Sequence, residues 1–393
     1  MSAVLPSALA TPVPVPTAGR RGLLLGIRGW AGVTIALAVV AVAVPVANLL
    51  VPADSVFHLS EYAFQLVAKI MCYAMCALAM DLIWGYTGIL SLGHGVFFAL
   101  GGYAMGMYLM RQIGSDGQYR MPMPDFMVFL NWKQFPWQWA LSDSFVAQML
   151  LVVLAPGLLA FVFGFFAFRS RIKGVYFSII TQAMTYAMML LFFRNETGFG
   201  GNNGFTDFKR ILGVPLQTPS MRMLLFVITG CTLIAFYLMA RAIVASKFGR
   251  VLQAIRDAES RVMFTGYDPL RYKLAIWTLS AVMCGIAGAL YVPQVGIINP
   301  SEMTPAASIE IAIWTAVGGR ATLIGPIVGA FFVNGAKSWF TQAFPEIWLY
   351  ALGAMFIAVT LFLPQGIVGL VRGSNGVVAR LRRGARKEQG SAG

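Results

Sequence analysis

Charge is what this chain has least of. Of its 393 residues only 11% are Asp, Glu, Lys or Arg, against 58% hydrophobic, and the mean hydropathy is +0.74. Soluble domains carry about 25% charged and roughly 45–50% apolar residues, so a water-soluble globule is excluded. Two histidines and four cysteines are poor material for a metal centre or a disulfide framework. Cys72, Cys76, Cys231 and Cys284 all fall inside apolar runs, as small packing residues would. No Gly-x-x-x-x-Gly-Lys-[Ser/Thr] occurs, so the chain has no P-loop to hold ATP. His-Glu-x-x-His and Gly-x-Ser-x-Gly are also missing, which removes the common metalloprotease and serine hydrolase signatures. The expectation is a protein that is no enzyme and holds no metal or cofactor of its own.

What is there is a succession of apolar runs long enough to cross a hydrocarbon core of roughly 30 Å as helix. They predict an all-α, polytopic transmembrane helix bundle with about ten spans, at 29–51, 62–84, 88–110, 145–168, 174–193, 222–240, 272–292, 305–319, 323–341 and 346–363. The number falls to eight if 305–341 forms a re-entrant pair. Arg20-Arg21 before an apolar stretch resembles a secretory signal, but the many spans that follow make the first segment a retained helix. Forty-one glycines and 19 prolines in so apolar a chain point to broken helices around a pathway. Ten spans divide into five plus five, the arithmetic of an inverted repeat.

The net charge of +14 would suggest nucleic acid in a soluble chain. Here its distribution reports sidedness, and no nucleic-acid partner is expected. With the N-terminus inside, the segments 1–28, 169–173, 241–273, 320 and 364–393 hold 20 of the 29 Lys and Arg residues. Both termini are therefore expected in the cytoplasm: a tail at 1–28, a transmembrane domain at 29–363 and a basic tail at 364–393. Of the two long outside loops, 111–144 carries Trp132, Trp137 and Trp139, and 194–221 contains Gly198-Phe199-Gly200-Gly201-Asn202-Asn203-Gly204. The glycines read as a tight loop, since no strand precedes them and no Lys-Ser or Lys-Thr follows a glycine there.

Ionisable residues inside spans are costly and count as functional candidates. They are Asp81, His94 and Glu310. Asp81, near an inner span end, reads either as a cap for a neighbouring helix or as a pathway group. His94, in Ser91-Leu92-Gly93-His94-Gly95, sits at a glycine-rich helix start and reads either as pathway lining or as satisfied packing. Glu310 precedes Trp314-Thr315, and with Thr315 it marks a polar face. Ser91, Gly93, His94, Glu310, Thr315 and Asp81 are the candidate pathway residues. The cytoplasmic stretch 241–273 contains Gly249 to Arg261, helix-prone and amphipathic, with Val251, Ile255 and Ala258 on one face before Gly266 ends it. A short helix held between two spans is suited to push on a partner protein.

Several strings resemble one family. Tyr86-Thr87-Gly88 with Leu90 to Gly95, Gly249-Arg250 to Ala254-Ile255-Arg256-Asp257, and Gly318-Gly319-x-Ala321-Thr322-Leu323-x-Gly325-Pro326 resemble permeases of the branched-chain amino acid class of ABC importers, over roughly residues 60–370. Asp81 to Gly88, Gly101 to Met110, Pro124 to Met127 and Gly200 to Asp207 look most like the urea-importer permease. The resemblance implies a subunit of the bacterial inner membrane, working beside a second homologous permease. Two cytoplasmic ATPases that use ATP and Mg, and an extracytoplasmic binding protein that delivers urea, would complete the importer. It also implies that Arg250, Ala254, Arg256, Asp257, Ala258, Glu259 and Gly266 belong to a coupling helix seated in the ATPase. Asp257-Ala258-Glu259 departs from the Glu-Ala-Ala of many ABC permeases. The competing readings are a branched-chain amino acid permease, and a channel or secondary carrier that works without an ATPase.

Overall fold

A computed structural model describes residues 27–347 apart from 50, 53, 54, 56, 57 and 173, together with 350, 353, 354, 357 and 366–368. The expected tails, and most of the expected span 346–363, lie outside the described residues. In chain order the helices are α1 (Ile27–Leu49), α2 (Glu61–Thr87), α3 (His94–Arg111), α4 (Asp125–Phe129), α5 (Phe145–Arg169), α6 (Val175–Phe193), α7 (Pro219–Ala245), α8 (Lys247–Phe264), α9 (Pro269–Val295), α10 (Pro305–Gly318) and α11 (Ile324–Ala343). Among the described residues six of them, α1, α2, α5, α6, α7 and α9, are long and apolar enough by themselves to cross a membrane. The architecture is the expected polytopic helical bundle. α8 lies at one end, and the loops 112–144 and 194–218 form a cap at the other.

α2 and α3 form the centre. From Ile70 to Thr87 nearly every α2 side chain is buried, and so is all but one α3 residue from His94 to Met110. α3 packs backbone to backbone against α9: a Cβ on Gly101 would collide with the Gly285 carbonyl, and one on Gly288 with the Phe98 carbonyl. Small residues are what permit so close an approach between membrane helices.

Two segments inside the bundle are not helical. Residues 88–93, expected as the start of the third span, are an irregular connection, because Gly88 ends α2 in the left-handed conformation (φ +75°) and donates to the Trp84 carbonyl at 3.1 Å. α6 satisfies the exposed backbone of this segment. Ser178 Oγ donates to the Leu90 carbonyl (2.8 Å), Thr181 Oγ1 accepts from the Leu92 N–H (3.0 Å), and Thr185 Oγ1 donates to the Leu92 carbonyl (3.0 Å). Irregular backbone at membrane depth requires such partners.

The second irregular segment joins α9 to α10. Ile297–Ile298 (β2) pairs antiparallel with Phe205–Thr206 (β1) of the cap, and Ile298 packs over Gly102 and Gly106 of α3. The chain then runs back along α3 until the Gly95 N–H donates to Ser308 Oγ at 3.1 Å. α10, with 14 residues, rises only about 21 Å and is a half-helix starting inside the bundle. The first turns of α3 and α10 thus meet in the interior, the broken-helix arrangement anticipated from the glycines and prolines. In the cap, Trp139 is buried and donates from Nε1 to the Gly198 carbonyl at 3.1 Å, so the glycine run is a tight turn closed by an indole.

Candidate substrate cavity and coupling helix

Near the meeting of the two half-helices lies a cavity of about 30 Å³ lined by Tyr73, Cys76, Phe98, Glu302, Glu310 and Trp314, among others. Tyr73 is near the middle of α2, lies tilted against Trp314 of α10 (4.8 Å) and stacks on Tyr291 of α9 (5.7 Å). Tyr291 donates to the Glu302 carboxyl at 3.3 Å, and Lys69 Nζ lies 5.6 and 5.9 Å from the Tyr73 and Tyr291 ring centres. Glu310 takes two bonds from Lys337 of α11, at 2.9 and 3.0 Å. Trp314 Nε1 is buried with no hydrogen-bond acceptor. The wall therefore offers carboxyl acceptors, aromatic faces and one idle donor. Nearer the cap, a second cavity of about 120 Å³ is lined by Gln65, Ala68, Gln217, Arg222 and Gln294, among others. Gln294 Oε1 is buried there without a donor.

The other expected pathway residues are placed elsewhere. His94 is fully buried between the rings of Phe97 and Trp277. Its Nε2 is 2.8 Å from Ser280 Oγ, which itself donates to the Ala79 carbonyl at 2.6 Å. Having given its proton away, Ser280 must accept, so Nε2 carries the hydrogen and Nδ1 accepts from Ser91 Oγ at 3.2 Å. Ser91 also accepts from the Gly93 N–H at 3.1 Å. Ser91, Gly93 and His94 thus tie the start of α3 to α9 and α2 with both imidazole nitrogens satisfied. A Cβ on Gly93 would press on the Met184 side chain at 2.9 Å. Thr315 is buried and donates to carbonyls of its own helix and of Ala77 in α2 (3.0 and 3.2 Å). Asp81 accepts from the backbone N–H groups of Ala321 (2.6 Å) and Leu323 (3.1 Å), closing the turn between α10 and α11.

Of the six candidates only Glu310 lines the central cavity. Glu302, Tyr73 and Trp314 do so as well and were not singled out from the sequence. Glu302 lies outside every predicted span, and its only signal is an acid in a short connection after Gly296.

α8 begins at Ser246, whose Oγ accepts from the Gly249 N–H at 3.4 Å. It buries Gly249, Leu252, Ile255 and Val262. The buried stripe differs from the expected Val251, Ile255 and Ala258 by one position at its start, and Ala258 breaks the helix with extended backbone. Arg256 Nη1 donates to the Gly85 carbonyl at the end of α2 (2.9 Å), and Glu259 forms an ion pair with the buried Lys273 of α9. These two residues bolt α8 to the bundle. Arg250, Ala254, Asp257 and Arg261 follow one another along its exposed side. Gly266 has φ +85° and open space around it, so a side chain there meets backbone strain and no neighbour. Beyond the break, Met263, Phe264 and Tyr267 are exposed, Phe264 by 92%. These apolar residues were not picked out from the sequence, although large hydrophobics in a polar connection are the signal.

A multi-pass bundle with broken helices around a small polar interior and a bolted helix at one end is the form of a membrane permease. The chain belongs to the family of permease components of branched-chain amino acid transport systems, which matches residues 62–360. It is similar to the high-affinity branched-chain amino acid permease proteins LivM of Salmonella typhimurium and of Escherichia coli. The first is 23% identical over 80% of this chain and 72% of the relative, the second 23% over 84% and 75%. The ribose import permease RbsC of Bacillus subtilis is 26% identical over 35% of this chain and 42% of its own. No solved structure matches the chain.

Proposed function

We propose that the chain is the urea-translocating permease of an ATP-driven importer in a bacterial inner membrane. The observation that carries this reading is the lining of the central cavity. At about 30 Å³ the cavity holds a water-sized group and must widen for any solute, urea included, so the lining and not the size bears on the choice. Urea is flat and neutral, with four N–H donors and one carbonyl acceptor. Glu302 and Glu310 supply acceptors for its amide hydrogens and Trp314 Nε1 a donor for its oxygen, the pattern by which a dry wall selects a neutral solute without a fixed counter-charge. The strings resembling urea-importer permeases support the same reading. The binding protein would deliver at the cap, through the cavity beside Gln294. Two ATPases, one of them seated on α8, would drive the change of access, with a second homologous permease completing the assembly. The charge distribution supports both termini, and α8, in the cytoplasm.

The names of the relatives favour a second reading, a branched-chain amino acid, which requires the cavity to open much further around the isobutyl group. A relative named for ribose import, matching 35% of this chain, leaves the substrate open on kinship alone. The deciding experiment is uptake of labelled urea by proteoliposomes holding the whole complex. The expected result is ATP-dependent urea uptake undiminished by excess leucine, with Trp314→Phe raising the half-saturating urea concentration. Inhibition by leucine, or leucine uptake without urea uptake, overturns the urea reading in favour of the amino acid. Urea uptake without ATPases would identify a channel or carrier.

A further inference from the structure

α1 packs against the bundle chiefly through α7, and beside it opens the largest of the cavities described, about 810 Å³. It is bounded by Gly32, Val33 and Leu37 of α1, Gly230 and Leu233 of α7, and Ile327 and Phe331 of α11, and it reaches inward to Met71 of α2. Water does not stabilise so apolar a space, and the apolar material at hand in a bilayer is the acyl chain.

The second observation is chemical. α1 and α7 are antiparallel and in register, since a Cβ on Gly230 would touch Ala41 at 2.7 Å, and eleven residues further along each helix Arg241 comes to lie over the ring of Trp30 (4.3 Å). The groove runs from the level of Gly29 to that of Val40, about 16 Å, and the Trp30–Arg241 pair stands at its end nearest α8. Arg241 Nη1 and Trp30 Nε1 are both buried without a hydrogen-bond acceptor. A permanent cation and an indole N–H, each wanting an acceptor, thus lie next to the groove's lining at the level of Gly29. Phosphate oxygens supply two acceptors at once, and basic pockets between membrane helices hold acidic headgroups in this way.

We propose that the groove between α1, α7 and α11 is a binding site for an anionic phospholipid, with an acyl chain along Gly32 and Gly230 and the phosphate on Arg241 and Trp30. The lipid fills the space between α1 and α11, which α7 alone does not close. The site is separate from the central cavity and does not depend on the substrate.

The test uses the intact complex, delipidated and placed in phosphatidylcholine nanodiscs containing a trace of phosphatidylglycerol with a photoreactive acyl chain. Crosslinks are expected in the peptides covering 29–40 and 324–332. Arg241→Gln should lower them about fivefold while leaving the labelling by a photoreactive phosphatidylcholine unchanged. Gly32→Leu should abolish both, and because a Cβ on Gly32 meets nothing within 4 Å the variant fills the groove without disturbing the helix. Labelling that survives both substitutions overturns the proposal. So does labelling whose yield is the same for the two lipids in the unaltered protein, or a second protein subunit found crosslinked in the groove.

Discussion

Asp81 is the residue whose replacement separates a structural from a transport role most cleanly. It is fully buried, and its two carboxyl oxygens accept from the N–H groups of Ala321 and Leu323. Those residues hold φ of +58° and +61°, a conformation that non-glycine residues keep only where the surroundings enforce it. Gly85 lies so close that an added Cβ would meet both the Asp81 carboxyl and the Ala321 backbone, leaving no room for water to replace the carboxyl. Asp81→Leu therefore orphans two buried donors at about 1–3 kcal/mol each, a loss of about 2–6 kcal/mol. Asp81→Asn keeps one acceptor and turns an NH₂ toward the other N–H, so its cost should be about half as large. Thermal denaturation of the purified complex, followed by gel filtration, should show Asp81→Leu melting several degrees below Asp81→Asn, which in turn melts below the unaltered protein. Proteolysis should begin at the turn 319–323. A protein with Asp81→Leu that melts normally but transports poorly would refute the structural role and return Asp81 to the pathway.

Three further outcomes are expected. His94→Leu should lower the amount of assembled complex in a membrane fraction, because it breaks the link from Ser91 to Ser280; His94→Gln, which keeps one donor in reach, should lose less, measured by quantitative immunoblot. Phe264→Asp should reduce ATPase co-purification while leaving membrane insertion unchanged, since the 92% exposed ring touches little within the chain. In a cysteine-free background, Ser260→Cys should resist an impermeant thiol reagent in intact cells and Ser115→Cys should react, both positions being exposed; the reverse pattern would invert the orientation. Ser142, also in the cap loop, is fully buried and would not report.

Which parts of this fold could be read from the sequence follows from what a linear pattern encodes. Length and hydropathy mark helices such as α5 and α7, because crossing a bilayer imposes both locally. They fail at 88–93, where Ile89, Leu90 and Leu92 prolong the apolar run while Gly88 has already turned the chain; partners on α6, nearly 90 residues away in sequence, make that segment tolerable. They fail again at Glu302, since the chain there returns into the bundle through an ordinary-looking loop. The intramembrane polar residues were found, with a helix cap for Asp81 and satisfied packing for His94 among the readings, but their partners were not. His94 and Asp81 spend their hydrogen bonds on Ser280, Ala321 and Leu323, from 186 to 242 positions away. In α8 the amphipathic character was legible, whereas the break at Ala258 has no mark in composition.

The same long-range bonds form a continuous chain of contacts from α8 to the central cavity. Arg256 grips the last turn of α2 at Gly85, and Glu259 grips the first turn of α9 through Lys273. Along α2 the next attachment is Asp81, which holds the turn between α10 and α11; then comes Ala77, held by Thr315, and then Tyr73, packed against Trp314. α9 carries Ser280, bonded to His94, and farther along Tyr291, bonded to Glu302. A displacement of α8 would therefore reach the cavity through two helices at once, each linked by hydrogen bonds to one of the half-helices that begin there. Interiors packed this closely switch between discrete arrangements and do not deform smoothly. Widening the small cavity would require the Tyr73–Trp314 and Tyr291–Glu302 contacts to part.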